Sequence, residues 1–575
     1  MKKIIKLLLL ITVVLQSAET YTLQLNRGWN LVGSLPSLDI VKNNSNIDLV
    51  WKYDSNLWQY HSNRLNRGDI LNIDPFEGVW VYAKAVTTLE IPINETKTEY
   101  VEVNKVVSEG FSLGVPSAEL PVFARAFSDA DLKSLSIPEQ YKALDKILSA
   151  FFIGFPKIEF DSIIAMDRPV TYIKNLLLKT KIGNFETAEK EVQKYNYSWN
   201  KKTPEKAIAR LFSLEPSREY LNFWTAYMLV NSKFYSASME LSTVNMSTGA
   251  NLIRELYEQL ENGYTMDSMV YNYLLSEEYW RRFRSPEDNT RESLELMVGI
   301  FNDSLVPLAS QSCKDFSYNE RDQNLEISFD YNTEVLDING SEVTRCKDFY
   351  REVIANNPLL EDWFILHWLE YYFPNYTAEE RELFMKDIYE LGATNYQDIF
   401  LNIIFSDDFI KSSERFKSFE ELYLPISKKT NFYAGNNTFV HWINQAHGSN
   451  QPPMFYKLGR GLENPSDTLS FAQLTKTIRE VMFLDQKTNM FSDWDAGWGS
   501  ELITALNFSS SETLIKELIL FLTGREARDD EVATLSKVLL NFDLKSNDHK
   551  GKAVMVILDY ISRLTEIYIS PKINL

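Results

Sequence analysis

Histidine and cysteine are scarce in this 575-residue chain, with five of the first and two of the second. A transition-metal centre draws most of its ligands from those two residue types. His441 and His447 are six apart, which puts them on different sides of a helix, and no neighbouring Cys or His completes a zinc set. His367, inside an apolar stretch with Trp363 and Trp368, is expected in the core. Asp493-Trp494-Asp495-Ala496-Gly497 begins like a calcium loop. Its glycine comes one position early, however, and Thr504 stands where a bidentate Glu is needed, so a Gly-Trp turn is expected instead. Phosphate-cradling glycine loops, dinucleotide fingerprints, serine elbows and thiol–histidine signatures are missing as well. No metal and no cofactor is expected.

Basic runs are also missing, and the formal charge is −20. Nucleic-acid binding needs clustered Lys and Arg to displace counterions, so that partner class is excluded, and an acidic surface disfavours anionic lipid. Beyond the first residues no segment reaches about 18 uninterrupted apolar residues, the length that a membrane span requires. Intrinsic disorder is excluded by the opposite abundance: 34 Phe, 30 Tyr and 12 Trp supply ample material for a large interior.

Met1 to Ala18 has the make-up of a secretory leader. Lys2, Lys3 and Lys6 form the charged start, Leu7 to Leu15 the short apolar core, and Ala18 the small residue before cleavage. No cysteine follows that would carry a lipid anchor. The expected location is therefore the periplasm, the cell surface or the extracellular space. In such a compartment Cys313 and Cys346, 33 residues apart, are compatible with one disulfide; two separate buried thiols are the alternative.

Two kinds of patterning follow the leader. Residues 20–98 alternate and break at turn-formers. Tyr21, Leu23 and Leu25 precede Asn26-Arg27-Gly28, and short strands are expected at Leu49 to Tyr53, Leu57 to His61, Gly78 to Ala83 and Thr88 to Ile93. Residues 99–124 read as a linker. From 125 to 575 the period becomes 3.6. Leu252, Ile253, Leu256, Tyr257 and Leu260 mark one helix face. Thr377 and Glu380 make a capping box ahead of an apolar stripe of Leu383, Phe384, Ile388 and Leu391, with Gly392 as terminator. Leu514, Leu518, Phe521 and Leu522 run up to Gly524 in the same way. One β insertion is expected near 320–345, with strands at Leu325 to Phe329 and Glu334 to Ile338 before an Asn339-Gly340 turn. The fold class expected is a small all-β N-terminal module followed by a large, mainly α-helical domain with a short β insertion.

Two resemblances sharpen this picture. Gly28-Trp29-Asn30-Leu31-Val32-Gly33, Val50-Trp51-Lys52-Tyr53, Trp58 and Glu77-Gly78-Val79-Trp80-Val81 together resemble a small β module that recurs in secreted bacterial proteins. Trp29, Trp51, Trp58 and Trp80 would serve either as a sugar-stacking platform or as the core of that small domain. The helical region resembles the bacterial domain-of-unknown-function family 1800 through motifs in the same order: Leu148 to Pro156, Phe223-Trp224, Glu287 to Leu296, Pro358 with Phe364 to Phe373, and Gly497-Trp498-Gly499. Histidines of the family pattern are replaced by Thr225, Tyr227 and Asn357, and an Asn by Pro286. Any proton or metal chemistry those histidines carry in relatives is therefore lost here.

The charged part of the central motif is the remaining candidate. On a regular helix Glu287, Arg291 and Glu295 stack at successive fourth positions, with Glu292 beside Glu295 and with Leu294, Met297, Val298 and Phe301 facing the core. Glu292 and Glu295 would be an acid/base pair, or Arg291 would neutralise both in a structural network; an arginine between two acids lowers their pKa values, the wrong direction for a general acid. Two functions follow. One is a non-catalytic envelope or extracellular protein that binds a protein or glycan partner, with the β module as adaptor. The other is an exported hydrolase of a polysaccharide or other envelope polymer acting through Glu292, Glu295 and Arg291.

Overall fold

The computed structural model describes residues 20–25, 28–32, 44–54, 57–63, 67–68, 79–92, 123, 125–179, 215–230, 234, 246–319, 324–327, 331–391, 395–430 and 500–573. The leader Met1 to Ala18, the linker 99–124 apart from Phe123, Gly392, His441, His447 and the stretch from Asp493 to Gly499 lie outside them. The chain divides into two units, Met1–Val107 and Ser108–Leu575.

In the first unit the described segments are strands: β1 (Thr20–Leu25), β2 (Gly28–Val32), β3 (Ile47–Asp54), β4 (Leu57–Ser62), β5 (Arg67–Gly68), β6 (Val79–Ala83) and β7 (Thr87–Pro92). Five of them hydrogen-bond in the order β2-β6-β3-β4-β5, and β1 pairs with β7. Leu25, Ile47, Val50, Val81, Ala83 and Leu89 are buried.

The second unit is mainly helical. Its helices begin with α1 (Asp129–Ser134), α2 (Ile137–Ala150), α3 (Lys157–Ala165), α4 (Pro169–Leu178), α5 (Arg218–Val230), α6 (Met246–Glu261), α7 (Met266–Leu274), α8 (Glu277–Arg282) and α9 (Pro286–Glu292). The last of these runs directly into a π-helical turn, π1 (Ser293–Met297). After α10 (Val306–Ser312) come the hairpins β8 (Phe316–Asn319) with β9 (Asn324–Ile327) and β10 (Leu336–Ile338) with β11 (Ser341–Val343). A short α11 (Cys346–Asp348) then opens into π2 (Phe349–Ala355). Next follow α12 (Leu359–Tyr372), α13 (Ala378–Glu390), α14 (Tyr396–Ile404), α15 (Asp407–Lys411), strand β12 (Arg415–Phe416) and α16 (Phe419–Thr430). The last group is α17 (Ser500–Ala505), α18 (Ser511–Thr523), α19 (Asp529–Leu539), α20 (Asn547–Ile561) and β13 (Ile569–Ser570), which pairs with β12.

Local chemistry explains where these helices start. The Ser128/Asp131, Ser136/Glu139 and Thr377/Glu380 pairs each form a capping box that satisfies backbone donors left open by the first turn. Packing supplies the rest. Leu252, Ile253, Leu256, Tyr257 and Leu260 are all buried. At the centre an aromatic relay joins distant helices: Phe151 meets Trp224 at 4.9 Å, Trp224 meets Phe400 at 4.9 Å, and Phe400 meets Trp368 at 4.7 Å. Tilted and edge-on contacts of this kind add to the area that such side chains bury. Among the described residues no helix is long and apolar enough to cross a membrane.

Four expectations need correction. The β insertion is two hairpins, so the strands near 325 and 336 pair with β8 and β11 and not with each other. The second hairpin turns at Asn339 and Gly340, with φ of 55° and 85°, the doubly left-handed geometry of a tight two-residue turn. Leu383 is exposed, because α13 turns only Phe384 and Ile388 fully inward. Phe301 is 69% exposed, because the helix has ended before it. His367 is half-buried and not fully in the core.

Cys313 and Cys346 are joined by a disulfide with a Cα–Cα distance of 4.1 Å, and both are buried. The bridge ties the end of α10 to the start of α11 and closes the loop that carries both hairpins. Replacing both cysteines by serine should lower stability by about 2–4 kcal/mol through the freed unfolded chain. Urea melts of oxidised wild type, reduced wild type and C313S/C346S check this, and the last two should coincide.

Candidate functional site

The central motif forms a two-sided helix. Ser285 caps it by accepting from the Asp288 amide at 3.1 Å, and Pro286 occupies the first helical position, where its missing N–H costs nothing. One turn on, the Ser293 hydroxyl donates back to the Asn289 carbonyl at 2.7 Å and the backbone widens into π1. A π turn spans five residues per hydrogen bond where an α turn spans four, so it rotates everything after it. Glu295 therefore leaves the stripe it would share with Arg291. The Arg291 ion pairs among the described residues run to Glu287 at 3.3 Å and to Asp303 at 3.5 Å, at the surface. This corrects the expected Glu287–Arg291–Glu295 stack and the expected neutralisation of Glu292 and Glu295 by Arg291.

The inner side of the same helix is fully buried. Asn289 donates from Nδ2 to the Phe283 carbonyl at 3.2 Å, and its Oδ1 accepts a short hydrogen bond from the Tyr350 hydroxyl on π2. The Asn289 carbonyl accepts from the Tyr279 hydroxyl at 2.9 Å, and the Tyr279 and Ser293 hydroxyl oxygens stand 2.7 Å apart beside it. Asn289, Ser293, Tyr279 and Tyr350 are all at 0% exposure. Burial pushes both tyrosine pKa values well up, so each hydroxyl keeps its proton and serves as a donor. The network locks α8, α9, π1 and π2 together. Asn289 lay within the motif that sequence reading singled out, but its acidic neighbours drew the chemical attention. Tyr350 carried no signal at all.

A denser set of buried charges joins α2, β12 and α16. The Asp145 carboxylate is flanked by Lys417 at 3.1 Å and by Lys429 in a short ion pair. Burial alone would raise its pKa, but the two ammonium groups outweigh that and bring it to about 2. Arg415 and Glu421 form a bidentate pair at 0% and 3% side-chain exposure, with the guanidinium 4.4 Å from the Tyr371 ring. Lys146 donates to the carbonyls of Ile410 at 3.3 Å, Ser413 at 2.6 Å and Pro571 at 2.7 Å. Its three protons thus meet three dipoles, while burial drives its pKa well below the usual lysine range. Tyr227 donates to Glu420 at 2.8 Å.

A third group lies on α6 and α8. Burial first, and repulsion from Glu278 second, raise the Glu255 carboxyl to about 7. Burial likewise raises Glu278. The remaining sequence candidates are scattered. Trp29, Trp51, Trp58 and Trp80 stand on β2, β3, β4 and β6, with Trp51 opposite Trp80 and Tyr53 opposite Trp58 in the ladder; their side chains lie outside the described residues. His549 accepts the Asp543 amide at 2.9 Å through Nδ1. Among the described residues no three His, Cys, Asp or Glu converge on a metal position.

The two sides of the motif helix should respond differently to substitution. Asn289→Ala strands the buried Tyr350 hydroxyl, which donates to the Asn289 side chain, and is expected to cost about 1–3 kcal/mol in urea melts. Arg291→Ala removes only partly exposed pairs and should cost less than about 1 kcal/mol. Glu255 gives a pH signature. Its folded-state pKa lies above the ordinary carboxylate value of 4.5, so between about 4.5 and about 7 the folded chain holds the extra proton. Stability from this group is therefore full below 4.5 and is lost as pH rises to 7. Glu255→Gln should raise Tm at pH 8 and leave it unchanged near pH 4, read by thermal melts across that range.

No family model matches this chain, and neither a curated protein nor a solved structure matches it.

Proposed function

We propose that this chain is an exported, non-catalytic binding protein of the cell envelope or extracellular space, and a divergent relative of the domain-of-unknown-function family 1800. In this reading residues 20–98 form a compact β module that acts as adaptor toward a protein or glycan partner, and Trp29, Trp51, Trp58 and Trp80 give it its aromatic character.

One observation carries the reading. The motif that would hold a catalytic site is used for construction: Asn289 is bound on all sides within the core, while Arg291 is engaged at the surface by Glu287 and Asp303. A hydrolase would need two carboxylates with opposed proton affinities facing one substrate bond. The turn at π1 separates Glu295 from the Arg291 stripe and favours that reading less.

Fractionation of the native cells tests export: the mature chain should appear without its leader outside the cytosol, and retention in the cytosol with the leader intact overturns the proposal. Binding of the full mature chain to envelope glycans should weaken about tenfold or more in Trp51→Ala and Trp80→Ala, a loss typical of removing an aromatic anchor. Glu292→Gln and Glu295→Gln should leave that binding unchanged. Polymer hydrolysis that disappears in either glutamine variant would establish the enzyme instead.

A further inference from the structure

The end of α8 carries a guanidinium with no negative charge set against it. Arg282 is only 6% exposed. A charge so far out of water is costly unless an opposite charge or well-aimed dipoles meet it. Among the described residues, however, no carboxylate lies within ion-pair distance of Arg282, and none of its nitrogens makes a hydrogen bond of good geometry. Its neighbours are engaged: Arg281 donates to the Tyr318 hydroxyl at 2.9 Å, and Arg284 donates to the Arg281 carbonyl at 3.2 Å. Asp288 feels Arg282 only at longer range, and Arg291 more strongly. The carbonyl end of a helix offers roughly half an elementary charge, less than this group needs.

Aromatic rings lie against the group. The guanidinium carbon stands 4.6 Å from the centre of the Phe283 ring. Phe283 meets Tyr279 at 5.2 Å, and Tyr279 meets Tyr273 at 5.1 Å. The Tyr279 hydroxyl is committed to the Asn289 carbonyl. The Tyr273 hydroxyl, on α7, differs: it is buried beside Arg282 and makes no hydrogen bond of good geometry. Burial raises its pKa despite the guanidinium, so it keeps its proton and can donate. Arg282 itself is not sealed. None of its nitrogens is among the solvent-excluded polar atoms that lack a partner, so the last exposed area of the residue lies at its polar tip. One accessible positive charge, one unused hydroxyl and flat apolar walls match a planar anion of single charge. A phosphate dianion would need a second free cation, and Arg281, Arg284 and Arg291 are occupied.

We propose that Arg282 and Tyr273, walled by Tyr279 and Phe283, form a binding site for a small organic carboxylate with an apolar or aromatic body. The carboxylate oxygens accept from the guanidinium and from the Tyr273 hydroxyl, and the body lies against the aromatic side chains. This goes beyond the adaptor reading, since it places a small-molecule site in the helical unit.

Calorimetric titration and thermal melts of the full mature chain with benzoate, at constant ionic strength, test it. Benzoate should bind in the millimolar range expected of so small a ligand and raise Tm with concentration. Benzamide, which has the same shape without the charge, and inorganic phosphate should each bind at least about tenfold more weakly. Acetate, which lacks the ring, should bind several-fold more weakly than benzoate. Arg282→Gln should lose about tenfold or more in benzoate affinity, while its ligand-free Tm equals or exceeds that of wild type because an unpaired buried charge has gone. Tyr273→Phe, which keeps the ring, should weaken binding several-fold. Lys516→Gln, at an exposed ion pair with Glu512, should bind as wild type does. Trp51→Ala should also bind benzoate normally, so that failure of the adaptor reading and failure of this one are told apart. Absence of benzoate binding, equal binding of benzamide, tighter binding of phosphate, or unchanged binding by Arg282→Gln or Tyr273→Phe would each overturn the proposal. So would a lower ligand-free Tm in Arg282→Gln, since it would show that the charge is already met from within.

Discussion

A charge taken out of water costs several kcal/mol unless opposite charges or well-aimed dipoles meet it. The helical unit buries Lys146, Arg415, Lys417, Glu421 and Lys429 under that constraint, with Asp145 half-buried between two of the lysines. Asp145 stands between two lysines, Arg415 forks onto Glu421, and Lys146 meets three carbonyls. Such pairs add little net stability compared with apolar packing, but removing one partner is severe, so they select one arrangement of helices over near alternatives. The partners are far apart in the chain. Lys146 reaches Pro571, and Lys417 accepts the same role for Asp145 while its backbone amide donates to the Tyr568 carbonyl at 2.8 Å. The C-terminal strand is thus stitched over β12 by the same cluster that orients α2 and α16.

The two π turns follow a similar logic at shorter range. Wide turns lose regular hydrogen bonding and persist where something compensates. Here the compensation is a closed set of buried polar bonds among Tyr279, Asn289, Ser293 and Tyr350, so π1 and π2 are fixed against one another. The outward consequence is at the surface. By ending regular helix before Glu295, π1 redirects Arg291 to Asp303 and lets the turn at Gly299 present Phe301 beside Trp363. A buried amide and an exposed aromatic corner are two faces of one irregularity.

Much of the helical unit was legible in the chain. Capping pairs such as Thr377 and Glu380 act within one turn, so spacing alone reveals them. The face of Leu252 to Leu260 was visible for the same reason, since burial of a stripe at helical period has no other solution. The candidate site was read less well. Arg291, Glu287 and Glu295 lie on one stripe only while the helix stays regular, and nothing in the local sequence announces an inserted π turn. Asn289 was in view but its partner Tyr350 is 61 residues on.

The amino-acid sequence alone therefore determined helix caps such as Thr377/Glu380 and apolar faces such as that of Leu252 to Leu260, because each of these depends on residues within one or two turns. Tertiary structure alone decided which cysteine, tyrosine and ammonium groups meet, and where a helix may widen. Those outcomes depend on contacts between segments tens to hundreds of residues apart, whose cost or benefit exists only once water has been excluded between them.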